Sequence, residues 1–459
     1  MKKKTEEKAI KQEKALMEAR KKIERCRVKK SKKLDLGHMG YLTVLPEEIR
    51  ELTWLTSLSM VCTGLRKLPD CIGELVNLKT LDLRLNHDIK KLPSSLLNLR
   101  NLKKLILDNT GLIKVPSFIG KMTSLELLDI SICDIKEVPQ SILDLPKLKR
   151  IETRGYNITH LPALAAKQRE LDMKEALRCI RNCKKSQRGK LDLSHLNLGE
   201  LPNELRDLYW LEELDISNSN LRSLPEWIGD FNNLAKLNIE WNKFTSLPDS
   251  IGNLKKLKEI DLSHNRLQTL PVSFGNLSSL ERFILWERHN HPIIEKMYGK
   301  GSWFTSLPES FGNLSSLKEI VFFDSRITKL PESFGNLKSL KRLSIQNCIT
   351  EDFYFPPSMK NLSALREVSI SGLTHVPEFI KELKDITTLD ISHSKLYVLP
   401  EWIGELTNLE TLNLHSTWIT EFPEWITNLK NLKNIDISSN EIDDKPDLYA
   451  KFPNLTFCG

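Results

Sequence analysis

The chain has 459 residues, 40% hydrophobic and 28% charged, with a formal net charge of +8. Eight cysteines are too few for a disulfide scaffold, and all eight are expected to be reduced. The opening Met-Lys-Lys-Lys-Thr-Glu-Glu-Lys leads into no apolar run, so neither a secretory signal nor a transmembrane span is expected, and the expected location is the cytoplasm, with signal-independent export left open.

Residues 1–33 form the first predicted element, a basic helix. They hold 15 Lys and Arg against 5 Asp and Glu, a balance of +10, which leaves −2 for the rest of the chain. That asymmetry argues against a basic, nucleic-acid-binding surface on the remainder and confines any such contact to this segment. Leu16, Ala19, Ile23 and Cys26 fall on one helical stripe. The stripe fits a helix that caps an apolar edge. The alternative is a surface-targeting helix that binds acidic membrane or nucleic acid.

From Leu45-Pro46 onward the same dipeptide, or Val-Pro or Phe-Pro, recurs at 68, 92, 115, 138 and 161, then from 201 through 224, 247, 270, 307, 330, 355, 376, 399 and 422. Most steps are 23 residues; the exceptions are 24 (68 to 92), 40 (161 to 201), 37 (270 to 307), 25 (330 to 355) and 21 (355 to 376). Such a period marks a solenoid of stacked units, none of which can bury its own apolar face alone. One unit runs Leu257-Lys258-Glu259-Ile260-Asp261-Leu262-Ser263-His264-Asn265-Arg266-Leu267, then Gln-Thr-Leu-Pro, then Phe274-Gly275-Asn276-Leu277. Alternating apolar residues predict a short inward-facing strand that pairs in parallel with the next copy. An Asn after the strand (Asn86, Asn242, Asn265, Asn440) supplies partners for turn backbone, with Thr110, Cys133, Ser219, Ser325, Cys348, Ser394 and Thr417 in its place elsewhere. Proline then ends strand pairing, and the chain returns in turns or short helix.

These units resemble the leucine-rich repeat, L-x-x-L-x-L-x-x-N/C-x-L, in the L-P-x-x-[I/F]-G-x-L variant common in intracellular repeat proteins of bacteria and plants. The resemblance covers roughly residues 31 to 459 and implies an α/β solenoid: a horseshoe with a concave parallel sheet, an irregular or short-helical convex side, and amphipathic capping helices. It is almost silent on function.

A second helix is expected over 166–190, where Met173, Ala176, Ile180 and Cys183 repeat the stripe of the first, and Lys190-Leu191-Asp192-Leu193 echoes Lys33-Leu34-Asp35-Leu36. Four segments follow: a cap at 1–33, a repeat block at 34–165, a cap-like helix at 166–190, and a second repeat block at 191–459. Whether the two blocks form one stack is left open.

The 37-residue step predicts an insertion at 287–303. His289 and His291 lie in it but lack the Cys or acidic company of a metal site, so no metal is expected. Strand positions facing outward are mostly small and polar. The exceptions cluster in consecutive repeats: Trp241, His264, Ile284, Trp286, Val321 and Phe323. Such a group reads either as the anchor of a protein-binding surface or as a mini-core beneath the insertion. An Asp recurs at the strand centre (Asp35, Asp82, Asp129, Asp192, Asp215, Asp261, Asp390, Asp436), either because Leu-Asp-Leu is ordinary in the repeats this chain resembles or as a stripe attracting a basic partner.

No phosphate-binding loop, H-E-x-x-H, C-x-x-C or G-x-S-x-G occurs, so no cofactor, small-molecule substrate or enzymatic activity is expected. The leading function is a non-enzymatic module binding a protein partner on the concave face. The alternatives are the surface-targeting adaptor and a bacterial effector acting on host proteins.

Overall fold

The computed structural model describes residues 2–153, 161–287, 304–348, 353–421, 423–442 and 456–458. Two compact units divide between Glu175 and Ala176. The first opens with helix α1 (Lys2–Val28) and contains strands β1 (Lys33–Asp35), β2 (Ser57–Ser59), β3 (Thr80–Asp82), β4 (Lys104–Ile106), β5 (Leu127–Asp129) and β6 (Arg150–Glu152). A one-turn helix, α2 (Gln140–Leu143), lies between the last two, and α3 (Pro162–Ser186) carries the unit boundary. The second unit contains β7 (Lys190–Asp192), β8 (Glu213–Asp215), β9 (Lys236–Asn238), β10 (Glu259–Asp261), β11 (Arg282–Trp286) and β12 (Glu319–Phe323). It continues with β13 (Arg342–Gln346), β14 (Glu367–Ile370), β15 (Thr388–Asp390), β16 (Thr411–Asn413), β17 (Asn434–Asp436) and β18 (Thr456–Cys458).

Among the described residues, strands β1 to β6 and strands β7 to β18 each pair in parallel with their neighbours in sequence, giving one sheet of six strands and one of twelve. A constant register follows from the period: Leu34 faces Leu58, Leu214 faces Leu237, and Ile260 faces Phe283. These central residues point inward and are buried. Each such side chain contributes about 1.5–3 kcal/mol by leaving water, and only stacking of repeats provides the burial.

Behind the sheets the chain returns mostly through five-residue 3-10 turns, each entered by the proline of the recurrent dipeptide, and between β5 and β6 through α2, entered by Pro139. Pro271, with φ −65°, precedes Val272–Asn276, and the Leu277 N–H closes the turn on the Phe274 carbonyl at 3.2 Å. Proline is suited here because its fixed φ matches the entry and its missing N–H is not needed. Glycine in the turn is set by crowding: a Cβ on Gly275 would lie against the Ser310 carbonyl oxygen closer than real Cβ atoms approach. In three consecutive turns the buried apolar residue is Phe. The Phe274 and Phe311 rings stack at 6.3 Å, and Phe311 and Phe334 at 6.2 Å, with Phe283 edge-on to Phe311 at 5.3 Å.

The Asn after the strand does what its position suggests. Asn86 Oδ1 accepts from the Thr63, Gly64 and Leu65 N–H groups, while its amide donates to Met60 O at 2.7 Å and Leu83 O at 2.8 Å. Asn242, Asn265 and Asn440 bridge neighbouring turns in the same way.

On α1, Ala19, Ile23 and Cys26 are buried and belong to the core of the first unit; Arg20 pairs with Glu48 at 2.9 Å and Cys26 Sγ donates to Ser31 O. On α3, Leu164 and Leu171 join that same core. Farther along α3, Ala176, Ile180 and Cys183 are buried, Cys183 Sγ donates to Arg188 O, and Lys184 pairs with Asp207 at 2.7 Å. This helix starts at Pro162, inside the repeated dipeptide. Here the proline opens an α-helix instead of a 3-10 turn, since the first helical position tolerates a residue without N–H.

Candidate protein interface

Outward-facing positions of the twelve-stranded sheet form columns across the strands. In the first column Lys190, Glu213, Lys236, Glu259, Arg282, Glu319, Arg342 and Glu367 alternate in sign, one per strand. Ion pairs link most of them: Lys190 to Glu213 at 2.7 Å, Lys236 to Glu259 at 3.5 Å, Arg282 to Glu259 and Glu319 at 3.3 and 3.1 Å, and Arg342 to Glu319 and Glu367 at 3.4 and 2.6 Å. Sequence reasoning missed this ladder. Reading one strand position repeat by repeat, in register, would have exposed it.

The second column runs Asp192, Asp215, Asn238, Asp261, Ile284, Val321, Ser344, Ser369, Asp390, Asn413 and Asp436. Its aspartates are turn caps: Asp192, Asp215 and Asp261 each accept from the backbone N–H two residues on, Ser194, Ser217 and Ser263, at 2.9 Å. Asp390 and Asp436 do the same for Ser392 and Ser438. Polar character is interrupted only at Ile284 and Val321, which face each other in register.

Four rings adjoin that interruption. Trp241 stacks on His264 with centroids 3.8 Å apart, His264 lies 5.3 Å from Trp286, and Trp286 meets Phe323 edge-on at 5.0 Å. Trp286 and Phe323 are outward residues of β11 and β12, paired in register. The sequence pattern places Trp241 and His264 on strands as well. The structure corrects this: both lie in the turns after β9 and β10, with φ of 55° and 54°. They stand one repeat position beyond that of Trp286, next to Asn242 and Asn265, which anchor the left-handed turn, whereas β11 runs on through Trp286. The backbone ladder continues into the turns: Trp241 N–H donates to Ser263 O at 3.0 Å and His264 N–H to Trp286 O at 2.7 Å. All six predicted site residues are thus brought together, and all are half-buried.

On the low-numbered side of the rings lies a groove of about 460 Å3 between Lys190 and Asp261, and beside it a hollow of about 340 Å3 bounded by His195, Asn218, Glu240 and Trp241. Burial, with Asp261 and Asp215 close by, pushes the Glu240 carboxyl up from its ordinary range. At the other end Glu287 is 7% exposed. It accepts from the Phe304 N–H at 3.2 Å and from the Arg326 N–H, and burial still pushes its carboxyl up to about 7. The rest of the predicted insertion, 288–303, including His289 and His291, lies outside the described residues. Among the described residues no cluster of His, Cys, Asp or Glu could hold a metal ion, and no helix is long and apolar enough to cross a membrane.

A profile described as "Leucine-rich repeat region" matches residues 10–185 and 300–391, more than half of the chain; further leucine-rich repeat profiles match 210–231, 233–287 and 407–450. The chain belongs to the leucine-rich repeat family. Among solved structures this leucine-rich repeat chain is similar to the Leptospira interrogans LRR protein LIC12759, at 27% identity over 93% of this chain and 90% of that one, with a TM-score of 0.42. An internalin (inlF) from Listeria monocytogenes matches at 16% identity over 89% and 88%, TM-score 0.34. The structure titled PEPR1-AtPEP1 matches at 22% over 91% of this chain and 64% of that one, TM-score 0.41. No curated protein matches the leucine-rich repeat chain. The fold is typically a protein–protein interaction module, and its proteins are generally non-enzymatic scaffolds.

Proposed function

We propose that this leucine-rich repeat protein is a non-enzymatic interaction module whose concave sheet in the second unit binds a protein partner. The carrying observation is the run of rings Trp241, His264, Trp286 and Phe323 beside Ile284 and Val321, half-buried on a sheet face whose other outward positions are mostly polar or charged. Grouped apolar area of this kind on a rigid sheet is how protein interfaces place their anchors, with Trp prominent among residues that dominate binding. The alternative, a membrane role for the basic helix, is less favoured because the stripe Ala19, Ile23 and Cys26 is already engaged with the repeats. Affinity capture with the intact protein, run beside Trp286→Ala and the control Tyr209→Ala on an exposed site away from these strands, tests the proposal. Loss of specific partners with Trp286→Ala alone is expected. Equal capture by all three proteins would refute it.

A further inference from the structure

The ring cluster sits at one end of a charged surface, and that charge selects the partner. On strands β7 to β10 and in the turn after β9, six outward acids (Asp192, Glu213, Asp215, Glu240, Glu259, Asp261) face two bases, Lys190 and Lys236. Those two Lys pair with Glu213 and Glu259, and Arg282 adds a second partner to Glu259. Asp192, Asp215, Glu240 and Asp261 have no Lys or Arg partner among the described residues. Three of them use one carboxylate oxygen to cap a turn, and Asp215 accepts from Asn238 with the other at 3.3 Å. Docking an uncharged surface here would bury carboxylates without counter-ions, which is costly. An anionic partner would meet direct repulsion.

We infer that the partner presents a basic segment, rich in Lys or Arg, to β7–β10 and an apolar side chain to Trp286 and Phe323. This rests on the concave-face reading above and names the chemistry of its partner. Spacing makes it specific. Neighbouring strands lie about 4.8 Å apart, so β7 to β12 spans roughly 24 Å, which an extended peptide covers with about seven residues at ~3.3 Å each. Basic side chains over Asp192 to Asp261 therefore lie about one to six residues from the apolar anchor, all on one side of it. A cation placed between Glu240, Asp215 and Asp261 also relieves the repulsion that these carboxylates exert on one another.

The test is fluorescence anisotropy of the full-length protein with a labelled peptide, Arg-Lys-Arg-Ser-Leu-Trp-Leu, its glutamate counterpart with Glu at the three basic positions, and the reversed basic sequence, at 50 mM and 500 mM salt. One of the two basic peptides is expected to bind and to weaken at least tenfold in Asp192→Asn/Asp215→Asn/Glu240→Gln/Asp261→Asn, in Trp286→Ala, and at high salt, where screening shortens the reach of the charges. Asn keeps the carbonyl oxygen that caps each turn, an unchanged thermal midpoint confirms the fold, and Glu240→Lys provides a second, single-site variant. Absence of binding by both basic peptides, equal binding of the glutamate peptide, or retained affinity in the neutralised variant would overturn the inference. If the neutralised variant captures the native partner as wild type does while Trp286→Ala does not, only the basic-partner inference falls. If Trp286→Ala also captures it normally, the concave-face reading falls with it.

Discussion

The indole of Trp241 stacks on the imidazole of His264, with ring centroids 3.8 Å and planes 25° apart. One repeat separates the two residues in the chain. The contact follows from the turn backbone: Trp241 and His264 share the same left-handed φ, and parallel hydrogen bonds hold successive turns in line. The stack is thus part of the fold itself, held by the same backbone ladder that aligns the turns.

Truncation at the centre of the cluster should separate binding from stability. Trp286→Ala is expected to weaken partner binding at least tenfold, in line with losses of ~2 kcal/mol or more at aromatic anchors, while the thermal midpoint moves little because Trp286 is a half-buried outward residue of β11. His264→Ala removes the ring between the two indoles and should have a smaller effect of the same sign. Titration calorimetry beside a thermal melt checks both. A large fall in midpoint with unchanged affinity would assign the cluster to structure.

Turn asparagines should behave in the opposite way. Asn242 Oδ1 accepts from the Ser219 and Leu221 N–H groups, and its amide donates to Ile216 O at 2.8 Å and Ile239 O at 3.0 Å, all in a buried setting. Asn242→Ala orphans several buried backbone groups and should cost on the order of 3 kcal/mol. Asn242→Ser should cost less, because Ser219 at the equivalent place still donates to Leu193 O and Ser217 O. Chemical denaturation of the two variants measures the difference.

Much of this was legible in the sequence because a repeat states each environment many times. The inward Leu, the turn Asn and the proline at 23-residue spacing specify strand, turn and return, and Asn86 and Pro271 occupy the roles their positions imply. What was not legible depends on where a strand stops. Trp241 lies four residues after the inward Leu237 and Trp286 three after the inward Phe283, and β9 ends at Asn238 while β11 runs on through Trp286, so one ring sits in a turn and the other on the sheet. Lateral relations are legible only when repeats are read against one another in register. The ion pairs from Lys190 to Glu367 join residues a whole repeat or more apart, and nothing local in Glu287 announces that it is buried.

The capping helices make separable predictions for the two units. Ile23 and Ile180 are 3% and 2% exposed. Ile23→Asp and Ile180→Asp each place an unpaired carboxylate in an apolar contact, and each should loosen the repeats beside its own helix, β1–β2 in the first case and β7–β8 in the second. Hydrogen exchange resolved by segment reads this directly. Unchanged protection in both regions would mean that neither helix covers its repeat edge in an energetically significant way.

Glu287 gives the protein a pH dependence with a definite sign. Its carboxyl stands at about 7 in the folded chain against an ordinary value of 4.5, because burial outweighs the N–H groups of Phe304 and Arg326 that favour its charged form. The folded state therefore holds the proton more tightly than the unfolded one. Its contribution to stability is fully present below pH 4.5, declines as pH rises through 7, and is lost above. A difference of this size corresponds to roughly 3 kcal/mol at most. Glu287→Gln keeps a side-chain oxygen for the Phe304 N–H but cannot ionise, so it should remove this slope and leave the variant more stable than wild type at pH 8, with little difference at pH 4.5. Urea unfolding at a series of pH values decides it. Parallel curves for the two proteins would show that Glu287 does not titrate in this range.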